Sequence, residues 1–241
     1  MRTALEHVLR TRSLTPLFQP IIDIQSLQLI GYEALIRGPE KTHLYSPLAL
    51  FSLARQYNKQ RELEQLCCQV QIERFCALGL QGKLFLNLSP GLFMDLSRLD
   101  SAQRPWQSDV SACRTLEVVI ELSETELTRD YEQLRIAAER CRRQEVAFAI
   151  DDLGEGYASL RLWSELQPEF VKLDRYFAQH IHRHPFKQQL LQAISEVARA
   201  NQTAVIAEGI EHEAELAMLQ QLGVSHGQGF LLGHPSANPL C

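Results

Sequence analysis

Leu17-Phe18-Gln19-Pro20-Ile21-Ile22-Asp23-Ile24-Gln25-Ser26-Leu27-Gln28-Leu29-Ile30-Gly31-Tyr32-Glu33-Ala34-Leu35-Ile36 is the stretch that decides the fold. Leu17–Asp23 and Leu29–Ile36 are short apolar runs of the kind that form buried strands. Only Ile24-Gln25-Ser26-Leu27-Gln28 joins them, whereas a parallel crossover needs about a dozen residues. The pair therefore reads as an antiparallel hairpin. Beyond it the pattern changes. Apolar strands at Lys83–Leu88, Leu116–Glu121, Ala147–Asp151, Phe170–Leu173, Thr203–Ala207 and Gly227–Leu231 alternate with three-four spacing over Leu48–Tyr57, Glu62–Ala77, Tyr131–Gln144, Lys187–Ala200 and Glu213–Leu222. Gly223 is placed to close the last of these helices. Eight strands with intervening helices predict an α/β fold, a TIM-like (β/α)8 barrel with one antiparallel strand. The domain is expected to fill 1–241 with a core over about 15–236, and Asp95–Arg114 reads as an excursion over the barrel.

The chain has 241 residues, 45% hydrophobic and 22% charged, which suits one large globular domain. No apolar stretch reaches the ~18 residues of a transmembrane helix, and Met1–Glu6 does not lead into a signal-peptide core. A net charge of -5 argues against nonspecific nucleic-acid binding. Cys67, Cys68, Cys76, Cys113, Cys141 and Cys241 show no zinc spacing and are expected to be reduced, in a cytoplasmic protein.

The chemistry is carried by the strand ends. Glu33, Asn87, Glu121, Asp151, Asp152 and Glu208 each sit at or near the C-terminal edge of an apolar run. A buried carboxylate costs several kcal/mol, as an order of magnitude, unless it is paired or holds a metal. In a TIM barrel these edges form the active face. One such residue means little, but a set repeated strand after strand predicts a shared cation site. Carboxylates and an amide oxygen are hard ligands suited to Mg²⁺ or Mn²⁺. The adjacent Asp151-Asp152 pair suits two ions roughly 3.5–4 Å apart, the spacing of two-metal phosphoryl chemistry. Two divalent ions with Lys172 and Arg37 would slightly overbalance the five carboxylates, so the site can accept an anion. Lys172, inside a strand, reads as orienting or deprotonating an attacking water, and Arg37 as a phosphate contact. Asp151-Asp152-Leu153-Gly154-Glu155-Gly156 leaves its strand into a glycine-rich turn that could act as a lid or switch. His180, His182 and His184 read as a solvated loop rather than a metal cluster.

The segments Glu33-Ala34-Leu35-Ile36-Arg37, Leu86-Asn87-Leu88-Ser89-Pro90, Glu121-Leu122-Ser123-Glu124, Asp151-Asp152-Leu153-Gly154-Glu155-Gly156-Tyr157-Ala158-Ser159-Leu160, Val171-Lys172-Leu173-Asp174, Ala207-Glu208-Gly209-Ile210-Glu211 and Gln228-Gly229-Phe230 resemble those of the EAL-domain cyclic di-GMP phosphodiesterases. The resemblance runs from about Leu17 to Pro235. It implies a Mg²⁺- or Mn²⁺-dependent hydrolase that opens cyclic di-GMP to linear pGpG, with Ca²⁺ inhibitory. By matching position it implies that Glu33, Asn87, Glu121 and Asp151 hold one ion and that Asp151, Asp152 and Glu208 hold the second. Lys172, Glu208 and Asp152 are the implied catalytic set. Gln19, Leu35, Arg37, Asp174, Glu211 and Gln228 fall among the implied substrate-binding residues, and Glu124 anchors the loop after the fifth strand. The departures, Leu153, Glu155 and Ala158, touch loop dynamics rather than ligands. The turn followed by Leu160-Arg161-Leu162-Trp163 is similar to that of EAL domains preceding CBS and GGDEF domains, and a homodimer through elements near the loop after Asp152 is implied. Two other functions stay open at this stage: a cyclic di-GMP receptor without turnover, and an enolase-type proton abstraction, against which the doubled aspartate and Arg37 argue.

Overall fold

The computed structural model describes residues 2–99, 116–122, 130–154 and 160–239. Eight strands close into one barrel in sequence order. They are β1 (Thr15–Asp23), β2 (Gln28–Arg37), β3 (Lys83–Leu88), β4 (Glu117–Leu122), β5 (Ala147–Leu153), β6 (Phe170–Leu173), β7 (Ala204–Ala207) and β8 (His226–Gly227). The helices are α1 (Arg2–Thr11), α2 (Pro47–Gln56), α3 (Gln60–Ala77), α4 (Pro90–Ser97), α5 (Tyr131–Arg142), α6 (Leu160–Leu166), α7 (Arg175–Ala178), α8 (Pro185–Ala200) and α9 (Glu213–Gln221).

The hairpin forms as the short linker requires. Asp23 Oδ1 accepts the amides of Gln25 and Ser26 at 3.0 and 2.8 Å, folding the chain back, and β1 pairs with β2 antiparallel. β1 also meets β8 antiparallel, while every pairing from β2 round to β8 is parallel. One strand of the eight is thus reversed. Gly31 sits where β2 passes closest to β3; a Cβ there would lie 2.1 Å from the Lys83 carbonyl oxygen, so no other residue fits.

Strand side chains alternate between the two faces with period two. Ile21, Phe85, Val119, Ala149, Phe170 and Ile206 form an apolar layer inside the barrel. Two residues further along each of these strands, toward one mouth, stand Gln19, Asn87, Glu121, Asp151, Lys172 and Glu208 (two residues earlier on the reversed β1). The same alternation that fills the barrel therefore stacks a polar layer on an apolar floor. Outward-facing residues such as Phe18, Tyr32, Leu84 and Phe148 pack under the helices.

Several expectations are corrected. The last strand is His226–Gly227, not Gly227–Leu231; Leu232 and Gly233 both donate to the Gly229 carbonyl in a turn, which leaves Phe230 and Leu231 exposed. Asp95–Ser97 belong to α4, and the remainder of the expected excursion lies almost wholly outside the described residues. Helices α1, α4, α6 and α7 were not expected. Cys76 is disulfide-bonded, against the expectation of reduced thiols, whereas Cys67, Cys68 and Cys141 are free and buried. His180, His182 and His184 flank and form a 3-10 turn at Ile181–Arg183, and the possible metal-holding group found among the described residues, Asp151, Asp152 and Glu208, includes none of them. No helix of the described residues is long and apolar enough to cross a membrane.

Candidate active site

Lys172 is the hub. Its ammonium, 1% exposed, lies 2.7 Å from Glu208 Oε1, 3.0 Å from Glu121 Oε1, 3.2 Å from Asp151 Oδ1 and 3.3 Å from Glu33 Oε2. Four carboxylates from four strand ends therefore share one cation. Burial pulls the lysine pKa down, but the surrounding carboxylates outweigh it and hold the ammonium well above its ordinary value. Glu121 is fully buried, and burial pushes its pKa well up; Lys172 offsets only part, while Glu33 and Asp151 add to the rise. Burial likewise pushes Glu208 up to about 8 despite Lys172. Glu33 goes the other way. Burial would raise it, but Lys172 and hydrogen bonds from Gln228 and Asn87 bring it below the usual carboxylate range.

Consecutive residues of a regular strand point to opposite faces, so Asp151 and Asp152 could not both face the barrel mouth without a distortion. β5 supplies one. Its register with β6 shifts between Ile150 and Leu153, and Asp152 takes a left-handed φ of 53°. Bulges of this kind re-aim side chains beside active sites, and aspartate is among the few non-glycine residues that tolerate this conformation. As a result Asp151, Asp152 and Glu208 each bring a carboxylate oxygen within 4.8 Å of one another.

These residues fit divalent cations. Glu121 Oε2 is buried without a hydrogen bond, Glu121 Oε1 and Asp151 Oδ1 meet only the Lys172 ammonium, and the donor set is all oxygen. Four carboxylates share one ammonium, so ionising the whole set calls for further cations. Gln228 Nε2 donates to Glu33 Oε2 (2.7 Å) and to Gln19 Oε1 (3.0 Å), Gln19 Nε2 donates to the Gly233 carbonyl (3.0 Å), and Asn87 Nδ2 donates to Glu33 Oε1 (3.0 Å). This chain of amides fixes Glu33 from β1, β3 and the end of β8.

A cavity of about 380 Å³ opens above the cluster. Of the residues named from sequence, Gln19, Glu33, Leu35, Asp151, Asp152, Lys172, Asp174, Glu208, Glu211 and Gln228 line it. Asp174 also caps α7, its Oδ1 accepting the Tyr176 amide at 2.8 Å. Glu121 lies beneath, in contact through Lys172. Asn87 joins through Glu33 and borders a neighbouring cavity. Arg37 does not line the cavity; its guanidinium donates to the Ile36 carbonyl at 2.9 Å. Glu124, Glu155 and Ala158 lie outside the described residues.

Two features escaped the sequence reading. Arg175 and Phe230 line the cavity, the first announced only by its place after Lys172-Leu173-Asp174. Glu215, 1% exposed, accepts the backbone amides of His180 (2.8 Å), Glu211 (3.0 Å) and His212 (3.1 Å). Burial opposes its charge, but the three amides hold its pKa below the usual range. It ties the loop after β7, which carries Glu208 and Glu211, to the segment after α7.

The chain is 27% identical over 238 residues to the probable cyclic di-GMP phosphodiesterase PdeI of Escherichia coli, covering 96% of this chain and 30% of that protein. It is 29% identical over 225 residues to the cyclic di-GMP phosphodiesterase PA2567 of Pseudomonas aeruginosa, covering 90% and 38%. The chain thus spans about a third of the length of these curated relatives. Among solved structures, Klebsiella pneumoniae BlrP1 in a calcium and cyclic di-GMP complex superposes with a TM-score of 0.80 at 27% identity, over 95% of this chain and 57% of that one. A standalone EAL protein from Vibrio cholerae with cyclic di-GMP bound gives 0.77 at 26% identity, over 92% of both chains. The family model for the EAL domain matches residues 2–235, and the chain belongs to that family.

Proposed function

We propose that this chain is a single EAL domain that hydrolyses cyclic di-GMP to linear pGpG with two Mg²⁺ or Mn²⁺ ions. The observation that carries the reading is the set of strand-end carboxylates gathered on Lys172, with Glu121 Oε2 buried and lacking a hydrogen bond. Glu33, Asn87, Glu121 and Asp151 would hold one ion, and Asp151, Asp152 and Glu208 the other. Bound there, the ions would neutralise phosphoryl charge and lower the pKa of the attacking water.

The protein's own groups do the rest. Lys172, held above its ordinary pKa by the surrounding carboxylates, stands where it would orient the attacking water. Gln228 and Asn87 hold Glu33 at one angle, which fixes the ligand before substrate arrives. Arg175, in the cavity lining, is the cation available to a second phosphate, and Arg37 would have to leave the Ile36 carbonyl to join it. The reading extends to a cytoplasmic homodimer, with CBS and GGDEF neighbours in a longer chain.

The test is product analysis of cyclic di-GMP incubated with the purified chain and Mn²⁺, with and without EDTA, alongside Glu33→Ala. Release of pGpG that EDTA and Glu33→Ala both abolish supports the proposal. Tight binding with no cleavage by the metal-loaded chain would replace it with a receptor.

A further inference from the structure

Helix α3 carries two polar side chains into its apolar face. Glu64 and Gln71 are 6% and 5% exposed, among the buried Leu63, Cys68, Val70 and Ile72 of the same helix. Seven residues make about two helical turns, so both point to one side. Buried polar groups persist where partners satisfy them, and these partners lie next to two candidate metal ligands. Gln71 Nε2 donates to the Ala34 carbonyl at 2.9 Å, one residue beyond Glu33 on β2. Ser89 Oγ donates to Glu64 Oε2 at 2.7 Å, two residues beyond Asn87, where β3 has just ended. Gln60 Nε2 donates to the other oxygen, Oε1, also at 2.7 Å. A serine hydroxyl has one proton. Given to Glu64, it leaves a lone pair for the Leu92 amide at 3.3 Å, and Ser89 caps α4. The junction from β3 to α4 is thereby tied to α3.

Asn87 has need of such a tie. Its side chain is exposed, so packing does little to hold it. Asn87 Nδ2 donates to Glu33 Oε1 at 3.0 Å, which leaves Oδ1 for an ion. Where that oxygen stands is set by the backbone that Ser89 and Glu64 fasten.

We propose that α3 positions this pair of ligands: Glu64, through Ser89, and Gln71, through the Ala34 carbonyl, hold the ends of β3 and β2 so that Asn87 and Glu33 meet one ion together. The inference rests on the phosphodiesterase reading and deepens it. Neither Glu64 nor Gln71 lines the cavity above the carboxylate cluster, so each acts through the residue it holds. Groups that orient a metal ligand typically change metal affinity or activity by about 10- to 100-fold when removed.

The experiment titrates Mn²⁺ into the metal-free chain by calorimetry and measures kcat and KM for cyclic di-GMP at saturating Mn²⁺, well below the melting temperature of each variant. Glu64→Ala and Gln71→Met should each weaken Mn²⁺ binding by about 10-fold or more and lower kcat by a similar factor, with KM within about threefold of wild type. Glu64→Gln keeps an oxygen that accepts from Ser89 and should recover most of the loss. Glu64→Ala combined with Ser89→Ala should cost about as much as the larger single loss, because the two act in one chain. Should Glu64→Ala fail to fold, Gln71→Met and Ser89→Ala decide the matter. Mn²⁺ affinity and kcat within about twofold of wild type, whatever the melting temperature, overturn the positioning role and leave the two residues to fold support alone. Glu64→Gln as impaired as Glu64→Ala overturns the route through Ser89. A wild type that binds Mn²⁺ but leaves cyclic di-GMP intact overturns the phosphodiesterase reading, and the Mn²⁺ affinities still decide the positioning role.

Discussion

Replacing Glu208 by glutamine should stabilise the protein without metal and destabilise it with metal. Burial raises the Glu208 pKa from 4.5 to about 8. A group whose folded pKa is raised contributes stability that is fully present below its unfolded pKa and is lost as pH climbs through the folded one. The window here runs from about pH 4.5 to about pH 8. At about 1.4 kcal/mol per pH unit the full span amounts to ~5 kcal/mol. One fifth of the side chain is exposed, and water relieves part of this, so ~2–3 kcal/mol is the figure to test. Glu208→Gln carries no such penalty. In EDTA at pH 8 it should melt above wild type by roughly 5–10 °C, taking 2–4 °C per kcal/mol for a chain of this size. At pH 5 the two should nearly coincide. In Mn²⁺ the order reverses, because wild type gains about 2.7 kcal/mol at a hundredfold excess over Kd and the variant has lost a ligand. Thermal melts by circular dichroism across this pH range, with EDTA and with Mn²⁺, check all three statements. A variant that melts below wild type in EDTA at pH 8, or that keeps the wild-type pH slope, refutes the claim that burial against like charge governs this residue.

Asp152→Asn preserves the left-handed backbone at φ 53°, so it should fold and still bind cyclic di-GMP within about tenfold of wild type while turnover falls by at least about a thousandfold; calorimetric titration beside product assays reads the split, and equal losses contradict it. Glu215→Ala strips the acceptor from three amides and should cost about 2–4 kcal/mol in urea melts, with Glu215→Gln milder; a loss under 1 kcal/mol would mean the loop after β7 does not depend on it. Replacing Mn²⁺ by Ca²⁺ should leave cyclic di-GMP bound and turnover nearly abolished, since the longer Ca²⁺ coordination distances of about 2.3–2.6 Å spread the two-ion geometry; full activity in Ca²⁺ argues against two closely spaced ions.

The barrel was legible because its two periodicities differ. Strands buried on both faces read as apolar runs, and the polar residue two positions past an inner-layer residue such as Phe85 or Val119 marks the mouth. The hairpin was legible from linker length alone. What escaped was set by tertiary context. Gly227–Leu231 is apolar enough for a strand, yet the close approach of Gly229 to Ile210, where a Cβ would lie 2.2 Å from its backbone, turns the chain after two paired residues. α1 was missed because only Leu5 and Val8 are buried on a mostly polar helix. Glu215 looks like helix surface, and its single clue was an acid at the third position of α9, where a side chain reaches back to cap the first turn. Nothing local announces that Asp152 is left-handed, although two adjacent aspartates facing one cation site require such a break in the strand.

The reversed strand has a chemical consequence. Had β1 run parallel to β2, its C-terminal end, Ile22-Asp23, would stand at the mouth. Running antiparallel, it presents Gln19 there, paired with Glu33. A carboxylate in that place would add a further negative charge to a cluster that already exceeds its ammonium. Gln19 instead accepts from Gln228, which frees the other amide hydrogen of Gln228 for Glu33. Of the three carboxylates around Lys172 whose pKa is displaced, Glu33 alone is displaced downward, and it alone receives two amide donors besides Lys172. The amides on β1, β3 and β8 thus keep one ligand ionised by hydrogen bonding, while Glu121 and Glu208, left to burial and like charge, depend on cations to become so.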